Sequence, residues 1–187
     1  MKLKETKKDS TSIFNGKIFS VKVDGVILPD GKESKREIVE HQGASAVLVT
    51  KKGKILFVKQ FRYAFNKVLM EIPAGKLNKG EDPLDTACRE LKEECGIIPL
   101  KIEKLFEVYP SAGYTTEKIF IYEVKDFKRS KKELDEGEFL RSTWIKEEKV
   151  KEYIKQGKIK DAKTLLALQN YFLTKLEKEN YWWKEKT

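Results

Sequence analysis

Residues 75–97, GKLNKGEDPLDTACRELKEECGI, carry the signals of one complete helix together with its start and its stop. Asp82 followed by Pro83 is typical of a helix N-terminus, because Asp is a favoured N-cap and Pro suits the first helical position. Gly96 suits the left-handed backbone conformation that follows a last helical turn. The segment therefore predicts a helix over 83–95 and fixes where the chain enters and leaves it.

The predicted helix has an acidic side and an apolar side. Each residue advances by about 100° around the axis, so Glu90, Glu93 and Glu94 share one arc. A separate arc carries the apolar side chains, which are Leu84, Ala87, Leu91 and Cys95. Like charges four residues apart destabilise an isolated helix by about 0.2–0.5 kcal/mol, so something should offset the repulsion. Clustered oxygen ligands without His or thiolate suit Mg²⁺ or Mn²⁺.

The alternative interpretation of this segment is a solvated acidic helix face, with Arg89 as a surface ion-pair partner. The charge distribution favours a cation site instead. Residues 75–97 contain four basic and six acidic side chains, a local net charge of −2, whereas the whole chain carries +9. An acidic island in a basic protein is a plausible place for a cation.

The basic remainder of the chain is compatible with a polyanionic small molecule as partner. Its lysines are spread along the chain, and no RGG, zinc-finger or alternating aromatic–basic motif accompanies them. We therefore predict no nucleic-acid partner, although RNA binding driven by charge stays an alternative. Salt-sensitive RNA binding without hydrolysis would favour that alternative.

Length and composition predict one domain of a cytoplasmic protein. A chain of 187 residues can bury a substantial core. No apolar run approaches the length of a membrane span, and the first residues lack the apolar stretch of a signal peptide, so we expect no membrane partner. Cys88 and Cys95 lie roughly 10 Å apart on the predicted helix, too far for a disulfide, and are expected to be buried reduced thiols.

The remaining elements predict a mixed α/β fold, a central sheet flanked by helices. Residues 1–12 are expected to be disordered. The predicted strands are Lys17–Leu28, Lys35–His41, Ala44–Thr50, Ile55–Phe61, Val68–Pro73, Ile102–Val108, Lys118–Val124 and Phe139–Ile145. The third and fourth of these are expected to form a hairpin across a Lys-Lys-Gly-Lys turn. Two further helices are predicted, at roughly Lys146–Lys155 and Asp161–Lys178.

The order Gly75, Glu81 and Arg89-Glu90-Leu91-x-Glu93-Glu94-x-Gly96-Ile97 resembles the Nudix box, the signature of hydrolases that cleave a diphosphate linked to a further moiety. Four other segments are similar to the ADP-ribose pyrophosphatase branch of that family. They are Arg36–Ala46, Lys59–Ala64 with the EIPAG sequence that follows it, Tyr109–Gly113 with Glu117 downstream, and Gly157–Leu166.

The resemblance implies a Nudix α/β/α sandwich over residues 44–187 and a small N-terminal antiparallel strand unit over residues 1–43. It also implies a homodimer, in which the N-terminal unit mediates association and contributes substrate contacts. A strand unit of this size cannot bury a core alone, which agrees with a need for a partner.

The implied reaction is Mg²⁺-dependent hydrolysis of ADP-ribose to AMP and ribose 5-phosphate, with Mn²⁺ as a possible substitute. The implied metal ligands are Glu90, Glu93, Glu94 and the carbonyl of Ala74. Arg89 is expected to hold the box carboxylates in place, and Glu81 to be either a further ligand or an orienting residue. The catalytic set is Glu138, Glu93 and Arg89, with Glu138 as general base.

Glu136 is the alternative general base, and the whole acidic loop could instead be only solvated. The implied substrate-binding residues are Arg62, Arg36, Gly75 and Glu117, with Arg62 contacting a phosphate and Arg36 reaching from the partner subunit. Adenine needs a flat stacking partner. Phe14 and Phe19 are candidates for it, but aromatic residues at strand spacing are more often core residues.

Three residues receive structural interpretations. Trp182 and Trp183 are expected to anchor the last helix or an interface, and His41, the only histidine, is expected to be structural. Two rival functions stay open. The first is a Nudix hydrolase acting on other nucleoside diphosphate sugars, dinucleoside polyphosphates or dinucleotide cofactors, and the second is a non-catalytic nucleotide sensor.

Overall fold

The computed structural model describes residues 3–134 and 136–184, with side chains described as far as residue 177. Within this part of the chain the strands are β1 (Thr6–Asn15), β2 (Phe19–Ile27), β3 (Glu33–His41), β4 (Ala44–Lys51), β5 (Lys54–Arg62), β6 (Lys67–Glu71), β7 (Ala74–Lys76), β8 (Ile97–Val108), β9 (Ile119–Arg129) and β10 (Leu140–Lys146). The helices are α1 (Pro83–Cys95), α2 (Glu147–Lys155) and α3 (Ala162–Lys184), and a 3₁₀ turn spans Tyr63–Phe65. None of these helices has both the length and the apolar character needed to cross a membrane.

The N-terminal sheet contains β1, β2 and β3 in that order, all antiparallel. The prediction of disorder over residues 1–12 is wrong for residues 6–12, because β1 begins at Thr6, and residues 1–2 lie outside the described part of the chain. Every residue of β1 is exposed, so its sequence shows no apolar alternation. Pairing with β2 holds it instead, helped by Asp9 Oδ1, which accepts a hydrogen bond from Gly25 N at 3.1 Å, and by a hydrogen bond from Ser10 to Asp24.

The central sheet has the order β10-β5-β4-β9-β8, in which β4 and β9 are parallel and the other neighbours antiparallel. The predicted hairpin between β4 and β5 is confirmed, with Thr50 opposite Ile55. Its turn residues Lys52 and Gly53 have φ of 49° and 68°. Two left-handed residues are what a two-residue hairpin turn requires.

Beyond the hairpin, β4 and β5 separate, and residues 67–76 fill the gap between them. Strand β6 pairs with β5, and β7 pairs with β4. The amide of Val47 donates to the carbonyl of Pro73 at 2.9 Å, which fixes the connection between the two short strands. The single strand predicted over Val68–Pro73 is therefore two strands, and Gly75 lies where the sheet divides.

The core lies on both faces of the central sheet. Along β4, Ala46 and Leu48 face one cluster and Val47 and Val49 face the other, as strand alternation requires. On the first face α2 and α3 pack through Val150, Ala167 and Leu168. On the opposite face α1 packs through Ala87 and Leu91. Full burial of each such aliphatic side chain larger than alanine contributes about 1.5–3 kcal/mol. The predicted α/β/α sandwich is confirmed.

The N-terminal sheet is joined to the loop between β8 and β9. Val39 N donates to Tyr114 O at 2.8 Å, and Thr116 N donates to Val39 O at 2.9 Å. His41 N adds a hydrogen bond to Thr116 Oγ1 at 3.0 Å. These contacts hold the end of β3 against the loop after β8.

Candidate active site

Helix α1 has the start and the stop that its sequence predicts. Asp82 is the N-cap, and its Oδ1 accepts from Leu84 N at 2.7 Å. Gly96 has φ of 63°, and its amide donates to Lys92 O at 2.9 Å. Both ends of the helix are therefore fixed by local chemistry, which sets the rotation of its acidic face relative to the sheet.

The apolar face of α1 is as predicted at Ala87 and Leu91, which are fully buried. Leu84 is an exception, since it is 40% exposed. Cys95 packs beside the buried cluster, and this burial raises the pKa of its thiol to about 12. Cys88 is only half-buried, and neither cysteine forms a disulfide.

A cleft of about 760 Å³ opens at the point where β4 and β5 separate. Seven of the candidate site residues from the sequence line it: Arg62, Ala74, Gly75, Glu90, Glu117, Glu136 and Glu138. They come from β5, β7, α1 and two loops that are distant along the chain. The cleft is thus a single place at which a cationic residue, several carboxylates and a glycine backbone meet.

Gly75 allows the closest approach in the site. A Cβ atom at this position would lie 1.9 Å from the carboxyl carbon and from one carboxyl oxygen of Glu90. On the residue before it, Ala74 N donates to Glu94 Oε2 at 3.1 Å. The turn into β7 therefore touches two carboxylates of α1, and only glycine leaves room for the first of them.

Arg89 connects the remaining carboxylates of this segment. Its Nε and Nη2 donate to the two oxygens of Glu81 at 2.9 and 3.1 Å. Its Nη1 donates to Glu90 at 2.8 Å and to Glu93 at 3.0 Å. This guanidinium holds the pKa of Glu81 down to about 2. Arg89 is therefore hydrogen-bonded to three carboxylates of this segment, and its role in holding them for catalysis stays a prediction.

The carboxylates of the site repel one another. Glu94 is 1% exposed, and burial, together with the charges of Glu90 and Glu138, raises the pKa of Glu94 to about 9. Burial also raises the pKa of Glu90 above its usual range, with the charges of Glu93 and Glu138 acting in the same direction. A positive charge placed among these groups would offset both burial and repulsion.

Among residues 3–134 and 136–177, whose side chains the structure describes, no three His, Cys, Asp or Glu side chains converge closely enough to hold a metal ion as they stand. Arg89 engages Glu90 and Glu93 instead. The chemistry of the donor set nevertheless fits a hard divalent cation, because it consists of carboxylate oxygens beside the Ala74–Gly75 backbone. The buried Glu94 is the strongest indication, since a solvated acidic face would leave it exposed.

The two general-base candidates differ in position. Glu138 is half-buried, accepts a hydrogen bond from Gln60 Nε2 at 3.3 Å, and its charge acts on Glu90 and Glu94. Glu136 lines the same cleft but is exposed. The hydrogen bond of Glu138 with β5 and the effect of its charge on Glu90 and Glu94 favour it over Glu136.

Arg62 belongs to a network that sequence reasoning did not predict. Its Nε and Nη2 donate to the two oxygens of Glu71 at 2.7 and 2.8 Å. Lys163 Nζ donates to Glu71 at 2.6 Å and to Asp161 at 2.8 Å. Both cations line the cleft, whereas Glu71 is 2% exposed beneath them. The similarity of Gly157–Leu166 to the family was the available signal for Lys163.

Arg36 does not line the cleft of its own chain. It lies on β3 and forms two hydrogen bonds with Glu5, one at 2.9 Å. Glu117 does line the cleft, beside His41, with 3.8 Å between the His41 Nδ1 and a Glu117 oxygen. His41 Nδ1 accepts a hydrogen bond from Gly43 N at 3.0 Å, so the ring supports the β3–β4 connection and also faces the cleft.

The aromatic candidates lie at the edge of this region. Phe14 and Phe19 contact each other with 5.8 Å between ring centroids, and both are exposed to solvent over two fifths or more of their surface. Phe19 also lines a smaller pocket of about 420 Å³ that shares His41 and Glu117 with the cleft. The side chains of Trp182 and Trp183 lie outside the described residues.

Comparison with known proteins gives two family matches. A family described as the NUDIX domain matches residues 39–168, and one described as the nucleoside diphosphate sugar hydrolase N-terminal domain matches residues 5–39. The first match spans the central sheet, α1 and most of the residues that line the cleft. The second spans most of the N-terminal sheet.

Individual proteins are also similar to this chain. It is 46% identical over 160 residues to the ADP-ribose pyrophosphatase of Bacillus subtilis (strain 168), with 84% of this chain and 86% of that protein covered. It is 45% identical over 162 residues to the methanol dehydrogenase activator of Bacillus methanolicus, again with 84% and 86% covered. A crystal structure described as an ADP compounds hydrolase has a TM-score of 0.80 at 18% identity, covering 96% of this chain and 98% of that one, which shows the fold.

Proposed function

The chain belongs to the Nudix hydrolase family, and on that premise we propose that it hydrolyses ADP-ribose to AMP and ribose 5-phosphate. One observation carries the proposal. The cleft brings the box carboxylate Glu90, the EIPAG backbone and the cation Arg62 to one place, together with the acidic loop at Glu138. The name of the Bacillus subtilis relative supports ADP-ribose as the substrate.

Substrate binding begins with charge. The diphosphate of ADP-ribose carries about two negative charges, which Arg62 at the cleft wall would contact through its guanidinium. Glu117 also lines the cleft, beside the junction with the N-terminal sheet, where it suits hydroxyl groups of a ribose. The aromatic side chains of that sheet, Phe14 and Phe19, are the candidates for contact with adenine.

We assign the divalent cation to Glu90, Glu93, Glu94 and the carbonyl of Ala74, with Mg²⁺ as the natural ion and Mn²⁺ as a substitute. When bound, such an ion supplies neutralisation of the diphosphate charge and activation of the attacking water. Arg89 holds Glu90 and Glu93 in reach, and Gly75 leaves space for the Glu90 carboxylate. Glu81 orients Arg89 through two hydrogen bonds.

In the chemical step, the oxygen of a water molecule forms a bond to one phosphorus atom of the diphosphate. The bridging bond between that phosphorus and its oxygen breaks, and the two halves leave as AMP and ribose 5-phosphate. Glu138 accepts the proton of the water, because it faces the cleft and has one hydrogen bond, from Gln60, to hold it.

We also propose that the protein is a homodimer formed through residues 1–43, with Arg36 entering the partner's cleft. Ile13, Phe14 and Ile18 are each more than half exposed, and a three-stranded sheet of this kind rarely stands alone. Sedimentation equilibrium of the chain and of an Ile13→Asp variant would test this. A wild-type monomer at micromolar concentration would contradict the proposal.

The experiment that tests the function is a substrate panel with product identification. ADP-ribose, GDP-mannose, diadenosine polyphosphates and NAD⁺ are incubated with Mg²⁺, with Mn²⁺ and with excess EDTA. We expect AMP and ribose 5-phosphate from ADP-ribose, and no product with EDTA. A preference for another compound of the panel would mean that the chain is a Nudix hydrolase with that compound as its substrate. No turnover of any compound would favour a nucleotide sensor.

The similarity to a methanol dehydrogenase activator supports a second candidate, in which the chain acts on a dehydrogenase. The two functions are separable in one assay. Dehydrogenase activity is measured with and without the chain, and with a Glu94→Gln variant that removes one proposed ligand. Activation by the wild type would support the second function, and its loss in Glu94→Gln would attribute it to the same site.

A further inference from the structure

The start of α3 is hydrogen-bonded to Ile72, which lies just before Ala74, the residue whose carbonyl is a proposed metal ligand. Asp161 caps α3, since its Oδ2 accepts from Thr164 N at 3.0 Å and from Thr164 Oγ1 at 2.6 Å. Thr164 Oγ1 in turn accepts from Ile72 N at 2.9 Å. This contact is fully buried and lies two residues before Ala74.

Glu71, the residue before Ile72, is paired with two cations. The two carboxylate oxygens of Glu71 accept hydrogen bonds from Nε and Nη2 of Arg62, and Oε2 also accepts one from Lys163 Nζ. The side chains of Lys163 and Glu71 are 12% and 2% exposed, so the pairing occurs largely out of water. Asp161 completes the group by accepting from Lys163 on its other oxygen.

The charges of this group balance, since it contains two cations and two carboxylates. Removing Lys163 would leave Glu71 and Asp161 with one cation between them, and one buried carboxylate would lose a donor. Arg62 would then be the cation left to pair with Glu71, and its guanidinium would be drawn more strongly to that carboxylate. A net negative charge would also lie beside the proposed diphosphate site. Both changes would weaken the binding of an anion at Arg62.

We propose that Lys163 is a positioning residue for the substrate diphosphate, acting through Glu71 to hold the Arg62 guanidinium toward the cleft. The proposal rests on the proposed function, because it concerns the same cleft. It predicts an effect on substrate binding that is larger than the effect on turnover. Lys163 donates to Glu71, the carboxylate that also accepts from Arg62, and to no box carboxylate in the described hydrogen bonds.

The test compares Lys163→Met with Lys160→Met, an exposed lysine on the same segment. We expect Lys163→Met to raise KM for ADP-ribose by about tenfold or more, with a smaller change in kcat. Lys163→Arg, which keeps the charge and the donors, should recover part of the loss. Lys160→Met should leave both constants within about twofold of the wild type.

A double-mutant cycle with Arg62→Met separates positioning from direct contact. If Lys163 acts through Arg62, adding Lys163→Met to Arg62→Met should change KM by less than about twofold. Fully additive effects, or a wild-type KM in Lys163→Met, would overturn the proposal. Circular dichroism checks the fold of each variant, and Lys163→Gln replaces Lys163→Met if the latter does not fold.

The same measurements distinguish failure of this proposal from failure of the proposed function. A wild-type protein that hydrolyses no member of the substrate panel removes the function, and the role of Lys163 falls with it. An active wild type whose Lys163→Met and Lys160→Met variants behave alike removes only the role of Lys163.

Discussion

Gly75 shows how one missing side chain determines the site. The Glu90 carboxylate occupies the space that any Cβ at position 75 would need, at a separation of 1.9 Å. Glu90 is also held by Arg89, so it cannot move without breaking that contact. The sequence alone suggested close backbone approach at Gly75, and the structure identifies the group that approaches.

We expect Gly75→Ala to reduce turnover by about a hundredfold or more, because displacement of a carboxylate by an ångström disturbs a catalytic arrangement by that order. The steady-state rate with ADP-ribose and Mg²⁺ measures it. Gly113→Ala is the matched control, since no atom lies within 4 Å of a Cβ there and its backbone is not left-handed. Equal activity in the two variants would show that Glu90 is free to move.

Glu138 and Glu136 are two residues apart on one loop, yet only Glu138 has a hydrogen bond to the strand β5 in the described contacts. We therefore expect Glu138→Gln to lower kcat by about 10²–10⁴-fold, the usual contribution of a general base, and Glu136→Gln to lower it much less. Single-turnover rates of both variants decide between them. The reverse order would transfer the role to Glu136.

At the scale of elements, α1 depends on its two ends. Gly96 has φ of 63°, and a Cβ there would lie 2.5 Å from the carbonyl oxygen of Ser130. Gly96 therefore ends the helix and also leaves room for the loop after β9 to pack against it. The prediction of this stop from sequence was possible because a helix C-terminus followed by glycine is a local signal.

Gly96→Ala should lower the free energy of unfolding by more than about 1 kcal/mol, since it combines left-handed strain with a backbone clash. Urea denaturation followed by circular dichroism measures the change. The control is Gly113→Ala, which has neither problem. A Gly96→Ala variant as stable as the wild type would mean that the Ser130 loop moves away without cost.

At the scale of the whole molecule, the cleft is held together by buried charge. Glu71 joins β6 to β5 through Arg62 and to α3 through Lys163. Burial alone would raise the pKa of Glu71, but the hydrogen bonds and charges of these two cations outweigh it and bring the pKa to about 2. The ionised form of Glu71 therefore links the sheet to the helix layer.

The pH dependence of stability follows from that shift. Because the folded pKa lies below the ordinary 4.5, ionised Glu71 stabilises the fold above about pH 4.5 and loses this effect as the pH falls toward 2. We expect up to about 3 kcal/mol to be lost across that interval. Urea denaturation at several pH values should show the difference between wild type and Glu71→Gln shrinking as the pH falls. Exposed Glu148→Gln is the control, and a difference independent of pH would contradict the assignment.

The sequence by itself determined the elements whose signals are local. The caps of α1, the hairpin turn between β4 and β5 and the alternation along β4 depend on neighbouring residues, so they could be predicted. Strand β1 could not, because none of its residues is buried and it is held by pairing with β2. Likewise, nothing near Lys163 in the sequence shows that it meets Glu71, which lies 92 residues away. Such contacts arise only when the sheet and α3 pack together, and the cleft is built from contacts of that kind.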